Sequence, residues 1–327
     1  MAALLVTVPA AALLVYVCLL VAARIVAAKR RAFRLGKVCG HRGERESAPE
    51  NTIAAFRNAA RLLDGIELDV WLTKDERVVV LHDGSLDRMC GVQGHVHDFN
   101  YADLPRVLRR PSEGFPQGQI HAGALEHEQS EPIPLLEEVL DLISAPSCTT
   151  KIMIEFKGYS PALGKRVRAL LEDRGLIVAD RVTWFSLTKR TNQLIKEVDP
   201  RIPRAPSVAD IVICVFAFHV GLLPLVPIDF DILALPCGSP EGLLDFCHRI
   251  PIIRSLPERF QLAAVTFFHN LKMSSAFFDA FRAQGFQLWL LGVNDEASFN
   301  LARRVGADTV FTDRPQWYTK MAGLSPA

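Results

Sequence analysis

The 327-residue sequence has almost no net charge: 37 Lys and Arg stand against 36 Asp and Glu, leaving +1. Nothing global therefore points to nucleic acid as a partner. The seven cysteines are scattered, odd in number and never in C-x-x-C spacing. That argues against both a disulfide framework and a zinc-thiolate site. No Asn-x-Ser/Thr acceptor occurs, which weighs slightly against a glycosylated exterior. Internal repeats and low-complexity tracts are also missing.

Charge is absent altogether from Ala2 to Ala23, a run rich in Leu, Val and Ala. Its length is about the ~20 residues that cross a bilayer as a helix. Arg24, Lys29, Arg30, Arg31, Arg34 and Lys37 follow it. A cleaved signal peptide has a basic start and a shorter apolar core, so an uncleaved N-terminal transmembrane helix is the expectation, ahead of a signal peptide or a buried core helix. Residues 1–35 then form a membrane anchor with a basic juxtamembrane segment. The positive-inside rule would hold its C-terminal side in the cytosol, an orientation the sequence leaves open. A single-pass protein of the endoplasmic reticulum or another endomembrane is expected. A second uncharged stretch, 211–228, contains His219, Gly221, Pro224 and Pro227. Those residues make a poor straight span. It is expected to rest at the membrane as an apolar or re-entrant segment, with a buried barrel element as the alternative.

From residue 36 onward short apolar runs alternate with amphipathic ones. "KVCGH", "GIELDV", "RVVVLH", "KIMIEFKG", "RVTWFS", "AAVTFF", "FQLWLLGV" and "DTVFTD" read as strands. Helices are expected from Asn51 to Leu63, in "PLLEEVLDLI", from Pro161 to Arg174 and through Leu194, with a loop insertion at 84–132. Repeated β-α units with apolar strands predict a parallel sheet covered by helices. Roughly eight units favour an α/β (β/α)8 TIM barrel over residues 36–327.

Strand side chains alternate sides, so Glu67 and Asp69 share one face while Ile66, Leu68 and Val70 pack on the other. Glu155 and Lys157 repeat the pattern. His41 and His82 end their strands, and C-terminal strand ends build the active site of such a barrel. Three carboxylates there make a hard-oxygen site for one divalent cation, Ca²⁺ or Mg²⁺. Two imidazoles can exchange protons near neutral pH. Arg42 and Lys157 can bind a phosphate. Together they suggest metal-assisted phosphodiester cleavage.

"HRG…PENTIAAF", "IELDVWLTKDERVVVLHDGSLDR", "MIEFKG" and "VNDEASFNLARRVGADTVFTDRP" resemble the glycerophosphodiester phosphodiesterase family over about Val38 to Pro315. The N-terminal run and "GLLPLVPI" look more narrowly like its membrane-anchored lysophospholipase D subgroup. The resemblance implies a (β/α)8 barrel with a divalent cation at its mouth. It matches Glu67, Asp69 and Glu155 to metal ligands and His41 and His82 to the catalytic acid/base pair, with His82 alternatively a ligand. Arg42 and Lys157 match phosphate contacts. Glu50 and Asn51 match "ENT", where Asn51 is expected to cap the helix behind the site. Leu291 stands where the subgroup usually shows tryptophan, three residues before Asn294. Trp289, two residues earlier, keeps the strand face, and Trp289 and Asn294 are counted as substrate-binding. The implied reaction converts a lysophospholipid to lysophosphatidic acid and a head-group alcohol. The alternatives are cleavage of deacylated glycerophosphodiesters to glycerol 3-phosphate, and a non-catalytic membrane lipid-binding protein.

Overall fold

The computed structural model describes residues 15, 17–18, 33–108, 130–238 and 255–324. The expected anchor at 2–23 falls almost entirely outside them, as does the middle of the expected insertion. No described helix is long and apolar enough to cross a membrane.

The strands are β1 Val38–Gly40, β2 Gly65–Leu72, β3 Val78–Val80, β4 Lys151–Phe156, β5 Val182–Phe185, β6 Ile232–Pro236, β7 Gln287–Leu291 and β8 Thr309–Thr312. Seven of them run parallel in the order β5-β4-β2-β1-β8-β7-β6. This is an α/β, TIM-like arrangement, with β1 and β8 adjacent although they lie at opposite ends of the sequence. Between β5 and β6 the chain supplies a short bridge at the place due to an eighth strand. Trp184 N donates to Pro203 O (3.1 Å), and Ala205 N donates to Trp184 O (3.4 Å). On the other side Asp231 N donates to Arg204 O (2.9 Å).

Two expected strands are corrected. "RVVVLH" is not a barrel strand. β3 runs antiparallel to β2, with Val70 opposite Val80, as the return arm of a hairpin closed by Thr73 N donating to Arg77 O. "AAVTFF" lies inside a helix, Glu258–Lys272. There Gln261, Val265 and Lys272 are buried, close to a 3.6-residue repeat. The strand paired to β7 on the side away from β8 is β6, which the sequence did not single out. The uncharged stretch at 211–228 takes helical form, in a helix, Val208–His219, capped by Ser207 and Asp210, followed by a tight turn at Leu223–Leu225.

Strand alternation divides the core. Ile66, Leu68, Val70, Ile152 and Ile154 pack outward under the helices. Phe33, Cys39, Met153, Phe185, Trp289 and Phe311 fill the inside of the strand ring. Trp289 is fully buried, its ring 6.1 Å from Phe33 and 5.6 Å from Phe311. Its inward position agrees with the strand-face expectation, but no face of the ring is open to a ligand. Its assignment to substrate contact is therefore replaced by packing. Trp289→Ala should cost about 3–5 kcal/mol of stability, the range for emptying a buried aromatic site. A denaturant melt checks this, and a wild-type midpoint would place the ring outside the core.

Candidate active site

The site is built at one end of the strands. On β2, Glu67 and Asp69 point inward, and Asp69 pairs in register with Glu155 on β4. The carboxylate oxygens of Glu67, Asp69 and Glu155 lie within 4.8 Å of one another, and all three residues are buried. Lys157 Nζ stands 2.7 Å from Glu155 and 2.9 Å from Asp69. Asn51 Nδ2 donates to Asp69 Oδ2 (2.8 Å), whereas Asp69 Oδ1, for all its closeness to Lys157, has no hydrogen-bond donor with proper geometry. Burial raises the Glu67 carboxyl well above its ordinary pKa, and Asp69 and Glu155 push it further. Burial would raise Asp69 too, but Lys157, His82 and Arg42 hold it ionised. Three crowded carboxylates of hard oxygen, one with an unused lone-pair site, fit a divalent cation.

The backbone that delivers these groups is strained. Arg42 and Asn51 both have positive φ, 60° and 56°. Such conformations cost roughly 1–3 kcal/mol each and collect at functional sites. Here they turn Arg42 N onto Glu67 Oε2 (3.0 Å) and Asn51 N onto Arg42 O (3.0 Å). Gly43 follows at φ 90°, where a Cβ would meet Ala55 at 2.8 Å. The Asn51 side chain is therefore spent on Asp69, not on capping. The cap of helix Ile53–Leu62 is Thr52, whose hydroxyl accepts from Ala55 N.

Each histidine is held from behind. His41 follows β1, and its Nδ1 lies 2.7 Å from Asp313 Oδ1; its Nε2 is 3.9 Å from Glu67. His82 follows the hairpin arm, where Leu81 N donates to Asp69 O. Its Nδ1 lies 2.7 Å from Asp83 Oδ1. Burial would raise both aspartates, but Arg45 and His41 hold Asp313 well below the ordinary range, and His82 and Arg88 do so for Asp83. An ionised carboxylate only accepts, so Nδ1 carries the proton in both rings and Nε2 is left for chemistry. Burial lowers the pKa of His82, which favours its neutral form.

Two residues counted as substrate contacts do other work. Asn294 Nδ2 donates to Asp313 Oδ2 (2.6 Å) and its Oδ1 accepts from Asp313 N (2.8 Å), so it fixes Asp313. Glu50 is buried against three arginines, Arg42, Arg45 and Arg88. Burial would raise its carboxyl, yet those cations bring it down to about 2. Asp313, Arg45 and Arg88 were missed. The carboxylate directly after the last strand, in "VFTDRP", was the one available signal for Asp313.

This arrangement can bind a hard cation, hold an anion between Arg42 and Lys157, and move protons at two imidazoles. The glycerophosphoryl diester phosphodiesterase family model matches residues 41–211. The chain is 30% identical to Lysophospholipase D GDPD1 of Homo sapiens over 289 residues, 88% of this chain and 86% of that one. Among solved structures, it is similar to the glycerophosphoryl diester phosphodiesterase domain of a Mycobacterium tuberculosis protein. That match has a TM-score of 0.64 at 18% identity and covers 88% of this chain and 99% of the other. An Oleispira antarctica phosphodiesterase in complex with the product sn-glycerol-3-phosphate gives a TM-score of 0.55 at 20% identity, over 88% and 97%. These solved structures share the fold. His41, Glu67, Asp69, His82, Glu155 and Lys157 all fall within the family match, and on that match this chain belongs to the glycerophosphoryl diester phosphodiesterase family and is a phosphoric diester hydrolase.

Proposed function

We propose that the enzyme is a lysophospholipase D, cleaving lysophospholipids to lysophosphatidic acid and a head-group alcohol. The observation that carries the lipid substrate is an exposed apolar face on the helix that starts from the end of β5 and leads back to β6. Helix Val208–His219 hangs from the strand ends, because Val208 N donates to Leu187 O just beyond β5. Ile211, Cys214 and Val215 are buried, while Phe216 is 68% and Val220 48% exposed. Ile213, Phe216, Val220, Leu222 and Leu225 line a shallow groove of about 400 Å³. Helix Glu258–Lys272 contacts this helix and adds exposed Phe260, Leu262 and Phe267. An apolar patch of this kind marks a lipid or protein contact. The similarity to proteins named lysophospholipase D points the same way.

Glu67, Asp69 and Glu155 would hold the divalent cation, Ca²⁺ or Mg²⁺. When bound, that cation supplies charge neutralisation at the nonbridging phosphate oxygens. Arg42 and Lys157 hold the phosphate from the protein side. One imidazole accepts a proton at Nε2 either from a water that attacks phosphorus directly, or from the neighbouring glycerol hydroxyl, whose oxygen closes a cyclic phosphate that a water then opens to lysophosphatidic acid. The other, entering the step as the imidazolium with Nε2 protonated as well, donates the Nε2 proton to the leaving alcohol oxygen as the P–O bond breaks. A lysolipid retains that neighbouring hydroxyl and a diacyl lipid does not. His41, His82 and the carboxylates come together in one site, which weighs against a non-catalytic lipid binder.

We further place the protein on an endomembrane. The uncharged run 2–23 with its basic flank would be the anchor, and the helix face at 211–228 the membrane-proximal surface. The test compares lysophosphatidylcholine with glycerophosphocholine, with each metal and with chelator, reading choline and lysophosphatidic acid. Faster turnover of the deacylated diester would make the water-soluble reaction the function. Phe216→Asp and Val220→Asp should reduce vesicle association and lysolipid cleavage while sparing glycerophosphocholine cleavage. Equal losses on both substrates would mean a folding defect, and no loss on lysolipid would end the docking idea. Leu223, 6% exposed, is unsuited to this comparison because a charge there strikes the core.

A further inference from the structure

The two histidines lie beyond the ends of separate strands, yet one unbroken run of ion pairs joins them. His41 Nδ1 bonds Asp313 Oδ1 (2.7 Å), and Arg45 Nη1 bonds the same oxygen. Arg45 Nη2 is 3.0 Å from Glu50 Oε2. Glu50 Oε1 accepts from Arg88 Nη2 (2.6 Å), and Arg88 Nε donates to Asp83 Oδ2. Asp83 Oδ1 lies 2.7 Å from His82 Nδ1. Signs alternate along the whole path, from Asp313 through Arg45, Glu50 and Arg88 to Asp83. Glu50 sits at its centre with its side chain 3% exposed, and both of its oxygens are engaged.

We infer that Glu50, with Arg45 and Arg88, is a positioning hub that sets the orientation of both imidazoles together. Asn294 already holds Asp313, whereas an Asp83 bonded only to His82 could rotate about its own side chain. A guanidinium fork removes that freedom, because its donors lie in one plane and bind two acceptors at fixed angles. Here both forks close on the same carboxylate. The angle of one imidazole is therefore tied to the angle of the other, and the donor and acceptor of the two proton transfers keep a set separation. In this role Glu50 acts through Asp83 and Asp313; it also holds Arg42, whose Nη1 donates to both of its oxygens. The inference rests on the reading of His41 and His82 as the proton-transfer pair.

The experiment uses the full chain in detergent micelles, assayed on lysophosphatidylcholine and glycerophosphocholine. It is paired with ¹⁵N spectra of the histidine ring nitrogens and a thermal melt. Glu50→Gln should lower kcat about 10–100-fold, the scale for losing a group that orients a reacting side chain, with any rise in KM through the loosened Arg42 accompanying that fall and not replacing it. The Nδ1–H signature should broaden or shift for both His41 and His82. Arg88→Met should disturb His82 alone, and Arg88→Lys should recover part of the loss. Arg88 is 40% exposed, so these variants remain informative if Glu50→Gln does not fold. In folded Glu50→Gln, wild-type kcat, a change at only one imidazole, or a rise in KM alone would overturn the hub, and in Arg88→Met an undisturbed His82 would do so. Intact turnover in His41→Ala and His82→Ala would instead overturn the proton-transfer reading, and the spectra would still show whether Glu50 couples the rings.

Discussion

His41→Ala should lower turnover about 10²–10⁴-fold, the usual scale for removing a general acid or base. The geometry says why folding should survive. The ring is partly exposed at the end of β1 and belongs to none of the apolar clusters. Asp313, its partner, keeps Arg45 and Asn294 Nδ2 as donors when the imidazole is gone. No buried carboxylate is stranded. His82→Ala should behave alike, since Asp83 retains Arg88. Turnover measured beside a thermal melt separates chemistry from stability. Near wild-type turnover in a folded variant would remove that histidine from the proton-transfer pair. A matched fall in melting temperature and rate would show a structural role instead.

Glu67→Gln should abolish most activity and, in chelator, make the protein more stable. The two effects have one cause. Glu67 is buried beside Asp69 and Glu155, so its ionised form is disfavoured in the fold and its pKa lies above the ordinary glutamate value. Between the unfolded and folded pKa values the native state binds more protons than the unfolded chain. Stability therefore falls as pH rises through that window. Above the folded pKa the full cost of the charge is present, and below the ordinary value it vanishes. Glutamine keeps an oxygen to accept from Arg42 N, now bonded at 3.0 Å, but carries no charge. In chelator, the variant should melt higher than wild type near pH 7, and the two should converge in acid. Adding Ca²⁺ or Mg²⁺ should reverse the order, because only the intact triad gains binding free energy in the folded state. A variant that is less stable at every pH, or chelator-resistant turnover of wild type, would contradict a carboxylate cation site.

Such a trade of stability for a working site explains why these residues stood out in the sequence. Carboxylates at alternate positions of an apolar strand break the local rule, and a rule broken twice, at Glu67–Asp69 and at Glu155–Lys157, is visible without any fold. His41 and His82 stood out as strand-end polar residues. Their carboxylate partners did not stand out equally. Asp83 is adjacent to His82, but Asp313 is 272 residues from His41. It arrives only because β8 pairs with β1. Asn51 shows a similar limit. It stood in a good capping position, yet its left-handed backbone aims the side chain at Asp69 and leaves the cap to Thr52.

Composition and periodicity were enough to establish an alternating α/β chain, the acidic strand faces and the residue types needed for phosphodiester chemistry. These depend on short-range alternation, which survives in any linear sequence. Three matters depended on distant segments meeting. Ala263–Phe268 became helix because Val265 and its neighbours one turn away face the core, a choice a six-residue apolar run does not encode. β3 became a hairpin arm because its partner is the outer end of β2. The Glu50 network formed because β1, β8 and the residues after β3 converge at one mouth. Ion pairs between such segments leave no period in the sequence, since what brings them together is strand pairing across the whole chain.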